Sequence, residues 1–312
     1  MKIKAKIFAA IIIIVAGAYA IGSGFTDYAL RRGTDTSPAS PPPACAKIAD
    51  PSLVAPEKPQ AKSELWSITS ADGLKLVATY FAPDVPSRRW AILVHGYGRN
   101  QRFAWDYAAE YLAQGYNVVT PDLRASGLSE GEYLTMGTKE SEDIVLWAQE
   151  IAKHDDAAKI ILHGVSMGAA TVMLATAQEP PNVVAAVEDC GYTSAYTMFT
   201  AQLDKLFGLP PFPIMNCVDV VSRIKTGTAL SAATPVEAVK STKVPMLFIH
   251  GDVDELVPFA MMGELYDASA APVKEQYVVR GAGHADAKRA APAEYFAHVF
   301  AFLQPYVGNT AN

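Results

Sequence analysis

The sequence predicts an α/β protein: a mainly parallel central sheet with helices on both faces. Two observations predict it. From Leu65 onward, short apolar runs alternate with longer amphipathic stretches, the pattern of strands joined by crossover helices. Several of those runs end at glycine-bearing turns such as HGYG, HGVSMG and HGD. Functional side chains of such sheets gather beyond the carboxyl ends of the strands.

Ahead of that pattern, Lys2, Lys4 and Lys6 precede an uncharged stretch from Ile7 to Phe25 whose polar side chains are Tyr19 and Ser23. Roughly nineteen residues at ~1.5 Å each come close to the ~30 Å hydrocarbon core, so residues 1–30 read as a membrane signal anchor. A cleaved signal peptide is the rival, because Ala18-Tyr19-Ala20 fits a small-residue cleavage pattern. Either carries the following domain out of the cytoplasm, to remain on the cell membrane or be secreted. Residues 31–64 include SPASPPPACAKIADPSLVAPEKPQ, where prolines deny helix hydrogen bonds and favour an extended linker.

The main domain is expected over residues 65–312. Leu65–Thr69 and Leu74–Phe81 read as early antiparallel strands, and Trp90–Val94, Tyr116–Thr120, Lys159–His163, Val183–Val187, Val244–His250 and Glu275–Val279 as buried ones. Helical patterning covers Arg102–Gln114, Thr138–Lys153, Met167–Gln178, Phe259–Ala268 and Pro292–Leu303, with Pro258 and Pro292 as start signals. Tyr192 to Pro235 breaks the rhythm with a segment rich in aromatics, Met and Leu, and reads as a small helical cap inserted into the sheet domain.

Composition narrows the function. The 312 residues are 50% hydrophobic and carry a net charge of -6, so there is a core to pack and no basic field to gather nucleic acid. Three cysteines, Cys45, Cys190 and Cys217, show no paired metal-ligand spacing, and no metal site is expected. A Cys190–Cys217 bridge is an open alternative to a buried free thiol at Cys190.

The chemistry centres on ILHGVSMGAATV, residues 161–172. Ser166 sits between a strand end and a helix start, flanked by Gly164 and Gly168, which leave room for a sharp turn and close strand-to-helix packing. The helix N-terminus offers unpaired N–H groups, so the Met167 N–H is placed to hold an oxyanion. A neutral serine hydroxyl needs a base near its oxygen and a carboxylate behind the base. His284, among glycines after the last strand, is the best base. His95, His163 and His250 each directly precede Gly at strand ends and read as packing or turn residues, His154 lies in a solvated connection, and His298 falls inside the terminal helix. Gly96 and Gly98 ahead of Asp122 outline a dinucleotide fingerprint, but Gln101 stands where its third glycine belongs.

These segments together resemble the α/β-hydrolase superfamily, over nearly everything after Leu65. WAILVHGYGRN resembles the loop that supplies the second oxyanion donor, which by position is the Tyr97 N–H. PDLRASGLSEG resembles the loop after the following strand, FIHGDVDELVP the acid-bearing loop, and GAGHAD the histidine loop. The resemblance implies an α/β-hydrolase fold and Asp254 as the acid, with Asp252 or the more remote Glu188 and Asp189 as alternatives. Within the superfamily the chain is similar to bacterial cell-surface hydrolases related to the serine aminopeptidase-like group.

The function expected is a serine hydrolase of carboxylic esters that uses Ser166, His284 and Asp254 and needs no cofactor. Peptidase or thioesterase activity on the same fold, and a non-catalytic exported binding module, are the alternatives. Tyr196, Met198, Phe199, Leu206, Phe207 and Phe212 of the cap are expected to line an acyl or aryl pocket, or else to be ordinary core.

Overall fold

The computed structural model describes residues 2–33 and 56–308. Strands β1 (Ser63–Thr69), β2 (Lys75–Phe81), β3 (Arg89–Val94), β4 (Asn117–Pro121), β5 (Lys159–Val165), β6 (Val183–Asp189), β7 (Met246–Gly251) and β8 (Lys274–Val279) form one sheet in the order β1-β2-β4-β3-β5-β6-β7-β8. β1 and β2 pair antiparallel, as do β2 and β4, and every later pair is parallel. β4 and β7 are buried along their whole length, whereas the edge strands β1 and β8 are partly exposed. Burial on both faces is why the central strands are continuous apolar runs instead of alternating ones.

Helices α3 (Thr138–His154), α4 (Met167–Thr176) and α8 (Ala260–Ala268) close one face, over a core containing Trp147, Met173 and Leu265. On the other face α2 (Trp105–Ala113) and α10 (Pro292–Val307) bury Tyr107, Tyr111, Tyr295 and Phe302. The helix expected over Arg102–Gln114 is divided, because a 3-10 turn at Gln101–Ala104 precedes α2. Asp122 explains the turn: its carboxylate accepts from the Gln101 N–H at 2.7 Å and from Gln101 Nε2 at 2.8 Å, drawing that residue inward. Asp122 of the fingerprint outline and Gln101, which stands in place of its third glycine, are therefore partners in a loop brace.

Between β6 and β7 lie α5 (Ala195–Phe207), α6 (Pro211–Thr226), a 3-10 turn at Leu230–Ala232 and the short α7 (Pro235–Ala238). The Ser194 side chain caps α5, and α5 and α6 end at Gly208 and Gly227 with φ of 61° and 82°, left-handed positions that suit glycine. These helices run from Ala195 to Ala238, over and slightly beyond the segment whose aromatics, Met and Leu break the strand rhythm.

The first helix, α1 (Lys2–Leu30), projects its apolar residues from Ile7 to Ile21 outward and then packs on the cap. A side chain at Gly22 would place its Cβ 2.5 Å from Cys217 O and 2.7 Å from Val221 Cγ2, so the two backbones approach where only glycine fits. Thr26 and Leu30 are buried, and Asp27 Oδ1 meets Lys225 Nζ at 2.5 Å and accepts from the Tyr133 hydroxyl at 2.8 Å. Arg31 and Arg32 are docked and not part of an extended linker. The Arg31 guanidinium pairs with Glu132 at 2.6 Å, and that of Arg32 donates to Ser129 O at 2.8 Å. Most of the expected linker, with Cys45, lies outside the described residues. Cys190 and Cys217 are both free thiols, which removes the bridge between them.

Candidate active site

At the carboxyl end of β5 the chain turns through Ser166, with φ 57° and ψ -117°, into α4. That left-handed φ is costly for a serine and is held by its surroundings. The Ser166 N–H donates to Asp189 O at 2.8 Å, and the Ala170 N–H donates to Ser166 O at 3.0 Å. A Cβ at Gly164 would lie 2.1 Å from Gly168 O, and one at Gly168 would lie 2.1 Å from Val94 O. The two glycines let α4 sit against β3 and β5, and the turn lifts the serine hydroxyl off the sheet.

Ser166 Oγ lies 2.8 Å from His284 Nε2, and His284 Nδ1 lies 2.8 Å from Asp254 Oδ2. Asp254 follows β7, and its Oδ1 accepts from the Leu256 and Val257 N–H groups, each at 2.9 Å. His284 follows β8. Its loop is tied back by Asp252, whose Oδ1 accepts from the Gly281 N–H at 2.6 Å. Of the two neighbouring aspartates, then, Asp254 faces the imidazole and Asp252 braces the loop.

A further histidine adjoins the acid. His250 on β7 is fully buried, with Nε2 3.2 Å from Asp254 Oδ2 and 3.0 Å from Val257 O. Burial alone would raise the Asp254 pKa, but hydrogen bonds from His250 and His284 outweigh it and hold the carboxyl well below the usual carboxylate range. Burial pulls His250 down, while the Asp254 bond and the Glu188 charge more than offset that and leave it raised. Burial pushes Glu188 up to about 8 and Asp189 up to about 6. Their side chains bond elsewhere than to His284: Glu188 Oε2 accepts from the Gly191 N–H at 3.0 Å, and Asp189 Oδ2 from the Tyr295 hydroxyl at 2.8 Å. The sequence reads His250 as a packing or turn residue, because its pairing with Asp254 depends on how the loop after β7 folds back.

The remaining histidines have other partners. His163 is buried between the Tyr111 and Tyr295 hydroxyls, 3.0 Å from each, and burial pulls it down to about 3. His95 Nε2 accepts from the Leu123 N–H at 3.1 Å. His154 lies 3.4 Å from Glu150, and His298 stacks on Tyr277.

The loop after β3 passes close to the serine: a Cβ at Gly96 would lie 3.3 Å from Ser166 Cβ. Tyr97 follows it, and Met167 opens α4, so one loop and one helix start flank the hydroxyl. The Tyr97 hydroxyl donates to Ala29 O near the end of α1, a contact no sequence spacing foretells.

Ser166 and His284 border a cavity of about 650 Å³, whose walls include Phe103, Tyr107, Lys288 and Phe296. These come from the 3-10 turn, α2, the short α9 (Ala287–Ala290) and α10. Lys288 pairs with Asp106, lies 4.1 Å from the Tyr107 ring centre, and is drawn down to about 8 by burial. The cap residues expected to line this space do not. Phe199, Leu206 and Phe207 line a separate small apolar cavity with Phe25, Tyr28 and Leu30 of α1. Met198 is buried core, Tyr196 packs against the core, and Phe212 is exposed. The physical reason is that α1 occupies the apolar face of the cap.

The parallel sheet, the strained serine turn between β5 and α4, and the loops after β7 and β8 define an α/β-hydrolase. The profile of the prolyl oligopeptidase family matches residues 103–310, a span holding Ser166, Asp254 and His284, and the chain belongs to that family. It is similar to the uncharacterized protein YqkD of Bacillus subtilis (strain 168), 26% identical over 229 residues that cover 72% of this chain and 74% of that one. Among solved structures it is similar to the esterase Pf2001 of Pyrococcus furiosus, with TM-score 0.67 and 24% identity over 83% of this chain and 97% of that one. It is also similar to the acylaminoacyl peptidase of Pyrococcus horikoshii, with TM-score 0.63 and 17% identity over 81% of this chain and 43% of that one.

Proposed function

We propose that the protein is a membrane-tethered serine hydrolase of carboxylic esters. One observation carries this reading: Ser166 Oγ, His284 and Asp254 are linked by two contacts of 2.8 Å, and the hydroxyl opens on the cavity described above. Ser166 Oγ attacks the acyl carbon as His284 Nε2 takes its proton, and Asp254 steadies the resulting imidazolium. The Tyr97 and Met167 N–H groups receive the charge on the carbonyl oxygen. His284 returns the proton to the leaving alkoxide, which departs as an alcohol. Water then attacks the acyl-enzyme, giving its proton to His284, and the acid is released as Ser166 regains its hydrogen. The apolar walls at Phe103, Tyr107 and Phe296 suit an acyl or aryl group.

The ester preference is supported by the Pyrococcus furiosus esterase among the similar structures, and the family keeps peptide bonds as the competing substrate. The tether is supported by α1, the one helix among the described residues long and apolar enough to cross a membrane. A fluorophosphonate probe tests the nucleophile. Labelling is expected in the full chain and absent in Ser166→Ala; an unlabelled but folded wild-type protein overturns the enzyme reading in favour of a binding module. Esters of rising acyl length, assayed beside aminoacyl amides and thioesters, test the substrate class.

A further inference from the structure

The cap carries an apolar stripe facing away from the domain. Along α6 Pro213, Asn216, Val220, Arg223 and Ile224 are exposed, a spacing that aligns them on one face, with Pro211 and Phe212 exposed at the helix entry. Phe212 is 75% exposed, Val220 60% and Ile224 63%. Met215, Val218, Val221 and Ser222 fill the opposite face and are buried. A surface helix in water carries its polar residues outward; here the outward row holds Pro213, Val220 and Ile224, with Asn216 and Arg223 as its polar members.

The neighbour of this helix identifies what covers the stripe. α6 packs directly on α1, and the contact begins at Gly22, opposite Cys217 and Val221. Counted from Ile7, Gly22 lies about 22 Å along the axis at ~1.5 Å per residue, inside the ~30 Å hydrocarbon core that the apolar stretch would cross. Charge starts only at Asp27, which pairs with Lys225 near the end of α6, followed by Arg31 and Arg32 docked on the loop before α3. The middle of α6 is therefore held level with uncharged α1, and its final turn level with the first charged residues.

We propose that the Phe212–Val220–Ile224 face of α6 rests in the boundary between headgroups and acyl chains of the bilayer that α1 enters. The domain is then held by two contacts, a spanning helix and the cap helix packed alongside it, and its orientation over the membrane is set. A phospholipid surface is the occupant the continuity with α1 selects. This rests on the tether reading above.

The test uses the full chain reconstituted in phosphatidylcholine vesicles, with and without brominated acyl chains. Phe212→Trp, Val220→Trp and, as a control, Val85→Trp are compared with wild type, Val85 being an exposed residue at the opposite end of the sheet, before β3. The tryptophans at 212 and 220 are expected to emit at shorter wavelength and to be quenched by bromine, and the one at 85 to do neither. Co-flotation with vesicles but no quenching at 212 and 220 overturns the docking and leaves the tether standing. Failure to float overturns the tether and the docking with it. Unquenched emission at 220 together with a chain-to-chain cross-link there assigns the face to a second copy and overturns the lipid surface.

Discussion

At the scale of single residues, the site is a relay in which each group fixes the state of the next. The Asp254 carboxylate is held ionised by the Leu256 and Val257 N–H groups and by two imidazoles, and it orients His284 toward Ser166. Replacing His284 with Ala removes the proposed base and a side chain that is 18% exposed and fills no core position, so ester turnover is expected to fall about 10²–10⁴-fold while the thermal midpoint changes little. Steady-state kinetics beside a melting curve check this. Glu188 behaves in the opposite sense to Asp254. Its folded pKa, pushed up to about 8 by burial, lies above the unfolded value of roughly 4.3, so between those limits the folded state binds the extra proton. The sign follows: stability falls as pH rises through that window. Glu188→Gln keeps an acceptor for the Gly191 N–H and removes the titration, so its melting temperature should exceed that of wild type at pH 8 and match it near pH 4. Equal melting curves at pH 8 would show that Glu188 stays ionised when folded.

At the scale of elements, the serine turn depends on backbones meeting closely. The predicted Cβ contact of 2.1 Å between residue 168 and Val94 O is against main chain, which has no rotamer to give. Gly168→Ala should therefore push α4 off β3, with a stability cost of about 1–3 kcal/mol and a greater loss of activity than of stability, since Ser166 rides on the same turn. Chemical denaturation and probe labelling measure the two separately, and full labelling at wild-type rate would show that the turn tolerates a side chain. This close packing is also why so much of the sheet was legible in the sequence. The strand ends at His95, His163 and His250 are marked by glycines that local geometry requires, and the runs before them are apolar because both faces are covered. The division at Gln101–Ala104 was not legible, because it is made by Asp122, a residue in the loop after β4.

At the scale of the whole molecule, what escaped the sequence is the partnership of distant segments. Phe199, Leu206 and Phe207 have the composition of a substrate pocket, yet they face α1, and apolar residues look alike whether they meet a ligand or a helix. The walls of the cavity at Ser166 come instead from α2 and α10, where Tyr107 and Phe296 fit the core periodicity of their helices. The same partnership joins α1 to the candidate site. The Tyr97 side chain donates its hydroxyl to Ala29 O, while its main-chain N–H is the proposed oxyanion donor. α1 thereby holds the loop that carries this proposed donor. Tyr97→Phe in the full chain keeps the ring and removes the hydroxyl bond, so the loop gains freedom without a cavity opening. The expected result is a fall in kcat of about two- to tenfold, the worth of one hydrogen bond of ~0.5–1.5 kcal/mol, with KM nearly unchanged because the cavity walls are untouched. An unchanged kcat would mean that α1 tethers the domain without shaping its site, whereas a rise in KM alone would place Tyr97 in substrate binding and not in oxyanion geometry.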